Sequence, residues 1–144
     1  FDSDLFQLIN NNVSVLRYRG DKTVMCDGSI IRAKFGILPE QYADYKSLTG
    51  DASDNIRGTE KIGSKTAAVL LRQFGSLQEI IEKADEITKP SIRESVKKNA
   101  ERLRNNYCLI KLDNHAALPY DLDKLKYAYE GVATNEVLER IGLR

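Results

Sequence analysis

The sequence predicts a mainly α-helical fold with a small β element near its beginning. Apolar residues recur at helical spacing, most clearly on one face of residues 64–74. Helix boundary signals stand between such segments. Pro39 suits the first turn of a helix, and Gly75 suits a helix end. Residues that favour strands are concentrated between positions 13 and 31.

The first part of the chain is predicted to hold a short helix followed by a small hairpin. Apolar side chains at helical spacing indicate the helix, and β-branched and aromatic residues bounded by turn pairs indicate the strands. The predicted elements are a helix at 5–10, a β-rich segment at 13–18, turns at Gly20-Asp21 and Asp27-Gly28, and the short strands 23–26 and 29–31.

Helices are predicted for most of the remaining chain. Gly50 ends the helix that Pro39 begins. Ser76 and Ser91 each stand three residues before a glutamate, which is the capping-box pattern of a helix start. The predicted helices cover about 39–48, 52–56, 64–74, a segment from 76 onward, 91–107 and 134–141, with mostly irregular structure at 113–133.

Composition narrows the kinds of functional site. The single histidine, His115, disfavours a histidine-rich zinc site and a Ser-His-Asp triad. Cys26 and Cys108 are far apart, which predicts free thiols in a reducing compartment. Any metal is therefore expected to be a hard cation on oxygen ligands. We find neither a membrane-spanning apolar run nor an export leader, so we expect a cytoplasmic protein without a membrane partner.

Charge is unevenly distributed, although the total is only +1. Residues 55–111 contain 12 Lys and Arg against 7 Asp and Glu, a surplus of +5 that leaves −4 for the remainder. A basic middle between acidic flanks favours a polyanionic partner. The predicted helix 91–107 either follows a phosphate strand or presents a solvated face balanced by Glu94 and Glu101. Its basic residues are Arg93, Lys97, Lys98, Arg102 and Arg104.

Residues 50–75, GDASDNIRGTEKIGSKTAAVLLRQFG, place acids, glycines and bases close together. Gly58 and Gly63 frame a tight turn before a helix, which is typical of a helix-hairpin-helix. Glycine allows the backbone to approach a phosphate closely, the amides at a helix N-terminus bind anions, and Lys65 adds charge. Such a site reads no base edge, so its binding would be independent of sequence. The alternative is an αα corner that merely needs glycine.

Two pairs of carboxylates are candidate metal ligands. Asp51 and Asp54 are three residues apart and would share one side of a helix start. Asp2 and Asp4 share one side of an extended segment. Four such carboxylates would bind Mg²⁺ or Mn²⁺, with water and phosphate completing the shell. The alternatives are a helix cap at Asp54 and ordinary surface acids.

The stretch GDASDNIRGTEKIGSKTA resembles the signature of the 5′-nuclease superfamily. This superfamily includes the 5′→3′ exonuclease domain of bacterial DNA polymerase I, the bacteriophage 5′-nucleases and the flap endonucleases. DSDLFQLI resembles the family's earlier acidic motif, and GILPEQYADYKSLTGD and LPYDLDKLKY resemble its flanking segments. Arg57 departs from the proline that is usual in polymerase I relatives. The matching signature residues are Gly50, Asp51, Asp54, Asn55, Gly58, Ile62, Gly63, Lys65, Thr66 and Ala67.

The resemblance implies the C-terminal half of an α/β nuclease domain, bacterial or phage-encoded, whose preceding half supplies the first metal cluster. The opening Phe1, without a methionine, agrees with removal of that half. Residues 1–49 then complete the catalytic core, and 50–144 form the helix-hairpin-helix (helix-3-turn-helix) DNA-binding subdomain. The parent is either a polymerase fusion, a stand-alone nuclease or a phage enzyme.

The resemblance also assigns roles to residues. The second metal cluster for Mg²⁺ or Mn²⁺ would be Asp2, Asp4, Asp51 and Asp54, of which Asp51 and Asp54 are the catalytic pair. A K⁺ ion can bridge the hairpin carbonyls and a DNA phosphate, with Ser64 as a hydroxyl ligand. The residues expected to contact duplex DNA with a 5′ end or 5′ flap are Arg57, Gly58, Ile62, Gly63, Ser64, Lys65, Thr66, Lys97 and Lys98.

Three functions are compatible with the sequence: a metal-dependent 5′-nuclease, a non-catalytic duplex-binding module, and a helical protein-interaction domain. A steep loss of DNA affinity with salt separates the first two from the third. Cleavage that depends on Mg²⁺ separates the first from the second. Because the first metal cluster would precede this chain, we expect the chain alone to bind metal weakly and not to cleave flapped DNA.

Overall fold

The computed structural model describes residues 2–18, 20–117, 119–125 and 134–142 and is mainly helical, as predicted. Among these residues, no helix combines the length and apolar character needed to cross a membrane. Much of the segment predicted to be irregular, 113–133, lies outside the described residues.

Two compact units divide the chain, 1–112 and 113–144. In the second unit the described elements are a 3₁₀ helix, Leu122–Leu125, and a helix, Thr134–Arg140, close to the predicted bounds. The functional division between 1–49 and 50–144 stays a prediction.

The first unit contains strands β1 (Val15–Arg17), β2 (Val24–Cys26), β3 (Gly50–Asp51) and β4 (Ile56–Arg57), helices α1 (Gly28–Phe35), α2 (Tyr42–Thr49), α3 (Ser64–Phe74), α4 (Leu77–Glu82), α5 (Pro90–Lys98) and α6 (Ala100–Ile110), and 3₁₀ helices Ser3–Leu8, Pro39–Gln41 and Ala84–Glu86.

The small hairpin consists of β1 and β2, which pair antiparallel. The predicted strand at 29–31 is wrong, because these residues lie in α1. The carboxylate of Asp27 caps that helix by accepting hydrogen bonds from the Ile30 amide at 3.0 Å and the Ser29 hydroxyl at 2.6 Å. The cap thus outweighs the strand propensity of the two isoleucines.

The predicted short helix at 52–56 is also wrong. β3 and β4 pair antiparallel there, with Asp51 opposite Ile56, and residues 52–55 form the turn between them. Asn55 closes the turn in the left-handed region at φ +56°, a conformation that asparagine tolerates better than most residues. The two acids of the signature therefore lie on a hairpin rather than on a helix.

The boundaries of α3 agree with the prediction at both ends. The helix runs over Ser64–Phe74, and Gly75 ends it at φ +90° with its amide bonded to the Leu71 carbonyl at 2.8 Å. The Ser76 hydroxyl then accepts the Glu79 amide at 3.3 Å and caps α4, again as predicted.

The single helix predicted at 91–107 is two helices, α5 and α6, that meet at Asn99. Asn99 leaves the helical region (φ −109°, ψ 13°), and its side-chain amide donates to the Ser95 carbonyl at 2.7 Å. The Ser91 cap is wrong as well, because α5 already begins at Pro90, whose missing N–H suits a first position. The predicted apolar face is buried across both helices at Ile92, Val96 and Leu103.

The core surrounds α2, which packs against α3, α4 and α6. Tyr42 and Leu48 at its two ends are fully buried. The ring of Phe6 meets that of Tyr42 edge to face, with centroids 5.4 Å apart. Such a contact stabilises beyond the buried area alone. It places the 3₁₀ helix Ser3–Leu8 beside α2, close to the β3–β4 hairpin that follows α2.

Candidate metal centre and nucleic-acid interface

Three acids from two distant segments come together in the first unit. Carboxylate oxygens of Asp4, Asp51 and Asp54 all lie within 4.8 Å of one another. Asp4 is on the 3₁₀ helix Ser3–Leu8, Asp51 is on β3, and Asp54 is in the turn that follows. The structure therefore brings together three of the four acids that the sequence singled out, although two of them lie on a hairpin rather than on the predicted helix.

Asp2 lies outside this group of three. It is exposed, and its Oδ1 accepts the Asp4 amide at 2.9 Å, so it caps the 3₁₀ helix that carries Asp4. Its charge still acts on the neighbouring site by raising the pKa of Asp4. A role for Asp2 as a metal ligand stays a prediction.

Asp51 is the most firmly held of the three acids and is only 4% exposed. Its Oδ2 accepts Lys46 Nζ at 2.5 Å, and its Oδ1 accepts the Ser53 amide at 3.0 Å and the Ser53 hydroxyl at 2.5 Å. Burial raises the pKa of Asp51, but the hydrogen bonds from Lys46 and Ser53 together outweigh it and hold this pKa below its ordinary value. Since a carboxylate offers about four lone-pair positions, Asp51 retains about one for a cation.

Asp4 has the opposite environment. Its Oδ1 is buried and has no hydrogen-bond partner among the described residues. Burial is the main cause that raises its pKa, and the negative charges of Asp2, Asp51 and Asp54 raise it further. A buried carboxylate oxygen without a partner is costly in a folded protein. A divalent cation on oxygen ligands would satisfy it, so the residues present fit a hard metal ion such as Mg²⁺ or Mn²⁺.

The backbone between β4 and α3 depends on a close approach at Gly58. A Cβ placed on Gly58 would lie 2.2 Å from the Thr49 carbonyl oxygen and 2.7 Å from the Gly50 amide nitrogen. The Thr59 amide donates to the Leu48 carbonyl at 2.9 Å, and the Ser95 hydroxyl donates to the carbonyl of Glu60 at 2.5 Å. The segment between β4 and α3, residues 58–63, is therefore fixed to α2 on one side and to α5 on the other.

Gly63 differs from Gly58, because the protein itself does not require a glycine there. A Cβ on Gly63 would meet no heavy atom within 4 Å, and the φ of −92° suits any residue. Gly63 immediately precedes α3 and provides no side-chain cap, so the first amides of the helix are free of the protection that a cap would give. An exposed glycine beside uncapped amides is what an approaching phosphate needs.

The other predicted DNA contacts are distributed around this point. Arg57, Ser64 and Lys65 are exposed, and Arg57 pairs with Glu60 at 3.3 Å. The side chain of Ile62 is buried in the core, which leaves its backbone atoms for any contact with a partner. Thr66 is half-buried in the first turn of α3.

Lys97 and Lys98 are both exposed, but they are not equivalent. Lys97 Nζ lies 2.5 Å from Asp85 Oδ1 and forms an exposed ion pair with it. Lys98 forms no ion pair among the described residues. It lines an open cleft between α5 and the segment 58–63, together with Lys61 and Glu94. Lys98 is therefore the better placed of the two to meet a phosphate.

Four residues not singled out from the sequence bond Asp51 or the segments that carry the three acids: Gln7, Lys46, Ser53 and Asn106. Lys46 and Ser53 bond Asp51, whereas Gln7 and Asn106 donate side-chain hydrogen bonds to distant backbone carbonyls. Only the proximity of Ser53 to Asp51 could have been noticed in the sequence. The contacts of Gln7 and Asn106 span 103 and 59 residues, respectively, and leave no local signal.

A protein-family model matches most of the chain. A family model described as "5'-3' exonuclease, C-terminal SAM fold" matches residues 37–132. This range contains the β3–β4 hairpin and α3 to α6 but begins after Asp4.

Individual proteins are similar over a longer range. The thermostable DNA polymerase I of Thermus aquaticus is 37% identical over 123 residues, which are 85% of this chain and 14% of the polymerase. A 5'-3' exonuclease of Buchnera aphidicola is 35% identical over 133 residues, 87% of this chain and 44% of that protein. The chain thus spans less than half the length of these relatives.

Solved structures show the same relationship. The zinc-bound bacteriophage T5 5'-exonuclease superimposes with a TM-score of 0.67 at 27% identity, covering 76% of this chain and 40% of that one. The T5 flap endonuclease in a pseudo-enzyme–product complex with DNA and metal ions gives a TM-score of 0.66 at 26% identity, with the same coverage.

Proposed function

The chain belongs to the 5′-3′ exonuclease family, because the family model covers more than half of it, and we propose that it serves such a nuclease in two ways. It binds the backbone of duplex DNA without sequence specificity, and it contributes a divalent-metal site for phosphodiester hydrolysis. The convergence of Asp4, Asp51 and Asp54 within 4.8 Å carries the second part. The open position at Gly63 and the uncapped start of α3 carry the first.

The proposed metal site consists of Asp4, Asp51 and Asp54, with Asp2 beside them. When bound there, Mg²⁺ or Mn²⁺ supplies positive charge that stabilises the leaving oxygen of a phosphodiester. The protein's own part is to hold the carboxylates ready. Lys46 and Ser53 orient Asp51, Asp4 presents its unpartnered oxygen, and exposed Asp54 lies toward solvent, where a phosphate and water would arrive.

The proposed DNA contact uses backbone amides more than side chains. The amides of Ser64, Lys65 and Thr66 begin α3, where the helix dipole favours an anion. Lys65 adds a positive charge, and the hairpin carbonyls with the Ser64 hydroxyl offer oxygen ligands for K⁺ beside a phosphate. These groups meet only the DNA backbone, so the contact would fix register without reading bases.

The proposed substrate is duplex DNA with a 5′ end or 5′ flap, and the proposed location is the cytoplasm of a bacterium or of a phage-infected cell. The T5 relative binds DNA and metal ions in its complex. The full reaction needs two metal positions, and this chain matches less than half of the nuclease relatives. We therefore propose that flap cleavage requires the preceding half of the domain and that the 144-residue chain alone does not cleave.

Replacing Gly63 with valine tests the DNA interface. We expect the affinity for unrelated duplexes to fall by about tenfold for each, because a branched side chain keeps the backbone from the phosphate. Fluorescence anisotropy with two labelled duplexes of different sequence measures this. The melting temperature should fall only slightly, since valine is a poorer N-cap than glycine but no heavy atom lies within 4 Å of a Cβ at Gly63. Undiminished affinity would show that the segment 58–63 is only a connection between structural elements and does not contact DNA.

Single substitutions at Lys97 and Lys98 test the second part of the interface. Lys98→Ala is expected to reduce the salt dependence of duplex binding by about one phosphate contact. Lys97→Ala should change it less, because the ion pair with Asp85 offsets part of the positive charge of Lys97. Plots of log affinity against log salt for the two variants give the slopes. Equal slopes for wild type and Lys98→Ala would assign this lysine to an ordinary solvated face.

A further inference from the structure

The 3₁₀ helix that carries Asp4 is attached to the end of α6 by one side chain. Gln7 Nε2 donates to the Ile110 carbonyl at 2.9 Å, and Gln7 Oε1 accepts the Leu112 amide at 3.2 Å. Ile110 is the last residue of α6, so its carbonyl has no partner within the helix. Gln7 thus supplies the missing donor and binds the backbone at two points.

This attachment bears directly on Asp4. Asp4 and Gln7 are three residues apart in a 3₁₀ helix, where side chains at this spacing are eclipsed on one face. The two hydrogen bonds of Gln7 therefore fix both the rotation of the 3₁₀ helix about its axis and its position along that axis, and with them the position of Asp4. The ring of Phe6 against Tyr42 anchors the same helix, but an apolar ring contact restricts rotation less sharply than two hydrogen bonds.

The hairpin that carries the other two acids is attached to the same helix. Asn106, 6% exposed in the middle of α6, donates through Nδ2 to the Ser47 carbonyl at 3.1 Å and to the Arg57 carbonyl at 3.0 Å. Ser47 lies near the end of α2, three residues before β3, and Arg57 belongs to β4. One amide group thus binds both the helix that leads into the β3–β4 hairpin and the second strand of the hairpin that holds Asp51 and Asp54.

We propose that Gln7 and Asn106 are positioning residues for the metal site and that α6 is the common frame that sets the distances between its carboxylates. Mg²⁺ demands near-ideal octahedral geometry at about 2.0–2.1 Å, so its affinity depends strongly on where the ligands are held. The inference rests on the proposed metal site. It adds that the spacing between Asp4 and the Asp51–Asp54 pair is fixed through α6 rather than by the acids themselves.

Gln7→Leu is the primary test, with Gln41→Leu as the matched control. Gln41 makes the same kind of clamp away from the acids: Nε2 donates to the Gly75 carbonyl at 2.7 Å, and Oε1 accepts the Leu38 amide at 3.0 Å. We expect Gln7→Leu to weaken Mn²⁺ binding by about tenfold, as is usual for the loss of a residue that orients metal ligands. Gln41→Leu should lower the melting temperature similarly and leave Mn²⁺ affinity within about twofold of wild type.

Asn106→Ala provides a second, independent test, with Ser95→Ala as its control, because Ser95 also donates to a backbone carbonyl from a buried position. Electron paramagnetic resonance titration with Mn²⁺ gives the affinity and the linewidth of the bound ion. Melting in EDTA gives the stability of each folded variant without metal. Titrations are run well below the lowest melting temperature, so loss of fold and loss of geometry remain distinct.

The outcomes separate the two ideas. If wild type does not bind Mn²⁺, the proposed metal site is wrong and the positioning role falls with it. If wild type binds Mn²⁺ but the test variants retain its affinity and linewidth, or lose no more than their controls, the metal site stands and the positioning role is overturned. Weaker binding confined to Gln7→Leu and Asn106→Ala, with stability losses matched by the controls, supports the proposal.

Discussion

Gly58→Ala is expected to destabilise the protein by about 3 kcal/mol, the upper end of the usual cost of overpacking. The added methyl group would lie 2.2 Å from the Thr49 carbonyl oxygen and 2.4 Å from the Thr49 carbonyl carbon. These are backbone atoms at the end of α2 and cannot rotate aside. Opening the gap would break the register of β3 with β4 and move Asp51. Thermal melting should show a fall of about 6–12 °C for a chain of this size.

Gly63→Ala is the matched control for this loss. The substitution adds the same methyl group, loses the same backbone freedom in the unfolded state and lies in the same hairpin. Because nothing stands within 4 Å and φ is −92°, we expect its melting temperature to stay close to that of wild type, since the lost backbone freedom offsets the poorer N-cap propensity of alanine. A similar fall for both variants would mean that Gly58 is not in close backbone contact and that the hairpin is generally sensitive to substitution.

Asp4→Asn is expected to weaken Mg²⁺ and Mn²⁺ binding by at least about 100-fold while stabilising the metal-free protein. This loss of affinity is larger than the loss usually found for residues that only orient the metal ligands. The pKa of Asp4 is raised, first by burial and then by neighbouring acids, so ionised Asp4 costs the metal-free fold stability. The neutral amide removes this cost but cannot replace a carboxylate ligand. Isothermal titration and melting in EDTA measure the two effects separately.

The pH dependence gives the same variant a further signature. The folded pKa of Asp4 exceeds its ordinary value of 3.8. The cost of its charge is therefore absent below the ordinary value of 3.8, grows as the pH rises from there to the raised pKa, and is constant above it. Metal-free wild type should lose stability relative to Asp4→Asn over this window, as melting temperatures in EDTA at several pH values would show. A difference that does not depend on pH would contradict the assigned cause.

Asp51→Asn is the informative comparison, because Asp51 has the opposite environment. Its carboxylate accepts bonds from Lys46 and Ser53, and its pKa is lowered. Its loss should weaken metal binding and also destabilise the metal-free protein. If Asp4→Asn and Asp51→Asn both destabilise the metal-free protein, the unpartnered Asp4 oxygen is not the strained feature that its burial indicates.

The sequence predicted local features well where a single segment contains all the information. α3 was predicted with correct bounds because its apolar face, a following glycine and the next cap all lie within residues 64–76. The break at Asn99 was not predictable in this way, because the apolar residues of α5 and α6 stay in phase across it. Periodicity shows which side of a helix faces the core but not whether the helix is continuous.

The candidate metal centre could be predicted only in part. The motif resemblance selected the acids, but spacing alone suggested a helix where β3 and β4 form a hairpin. Asp4 and Asp51 meet because the 3₁₀ helix Ser3–Leu8 packs beside α2, a tertiary contact with no local signal. Lys46 was missed although it is only five residues from Asp51, because the two side chains meet only where α2 ends and Gly50 leaves the helical region at φ +82°.

The ion pair between Lys46 and Asp51 suits the proposed centre to reversible binding of a metal ion. Lys46 Nζ lies 2.5 Å from Asp51 Oδ2, so part of the negative charge already has a counter-ion built into the chain. An arriving divalent ion gains less from Coulomb attraction than it would at three bare carboxylates. The same ion pair holds Asp51 in place, so the β3–β4 hairpin keeps its conformation when the ion leaves. Such a centre would load and unload with the free magnesium concentration of its surroundings, without a folding step in either direction.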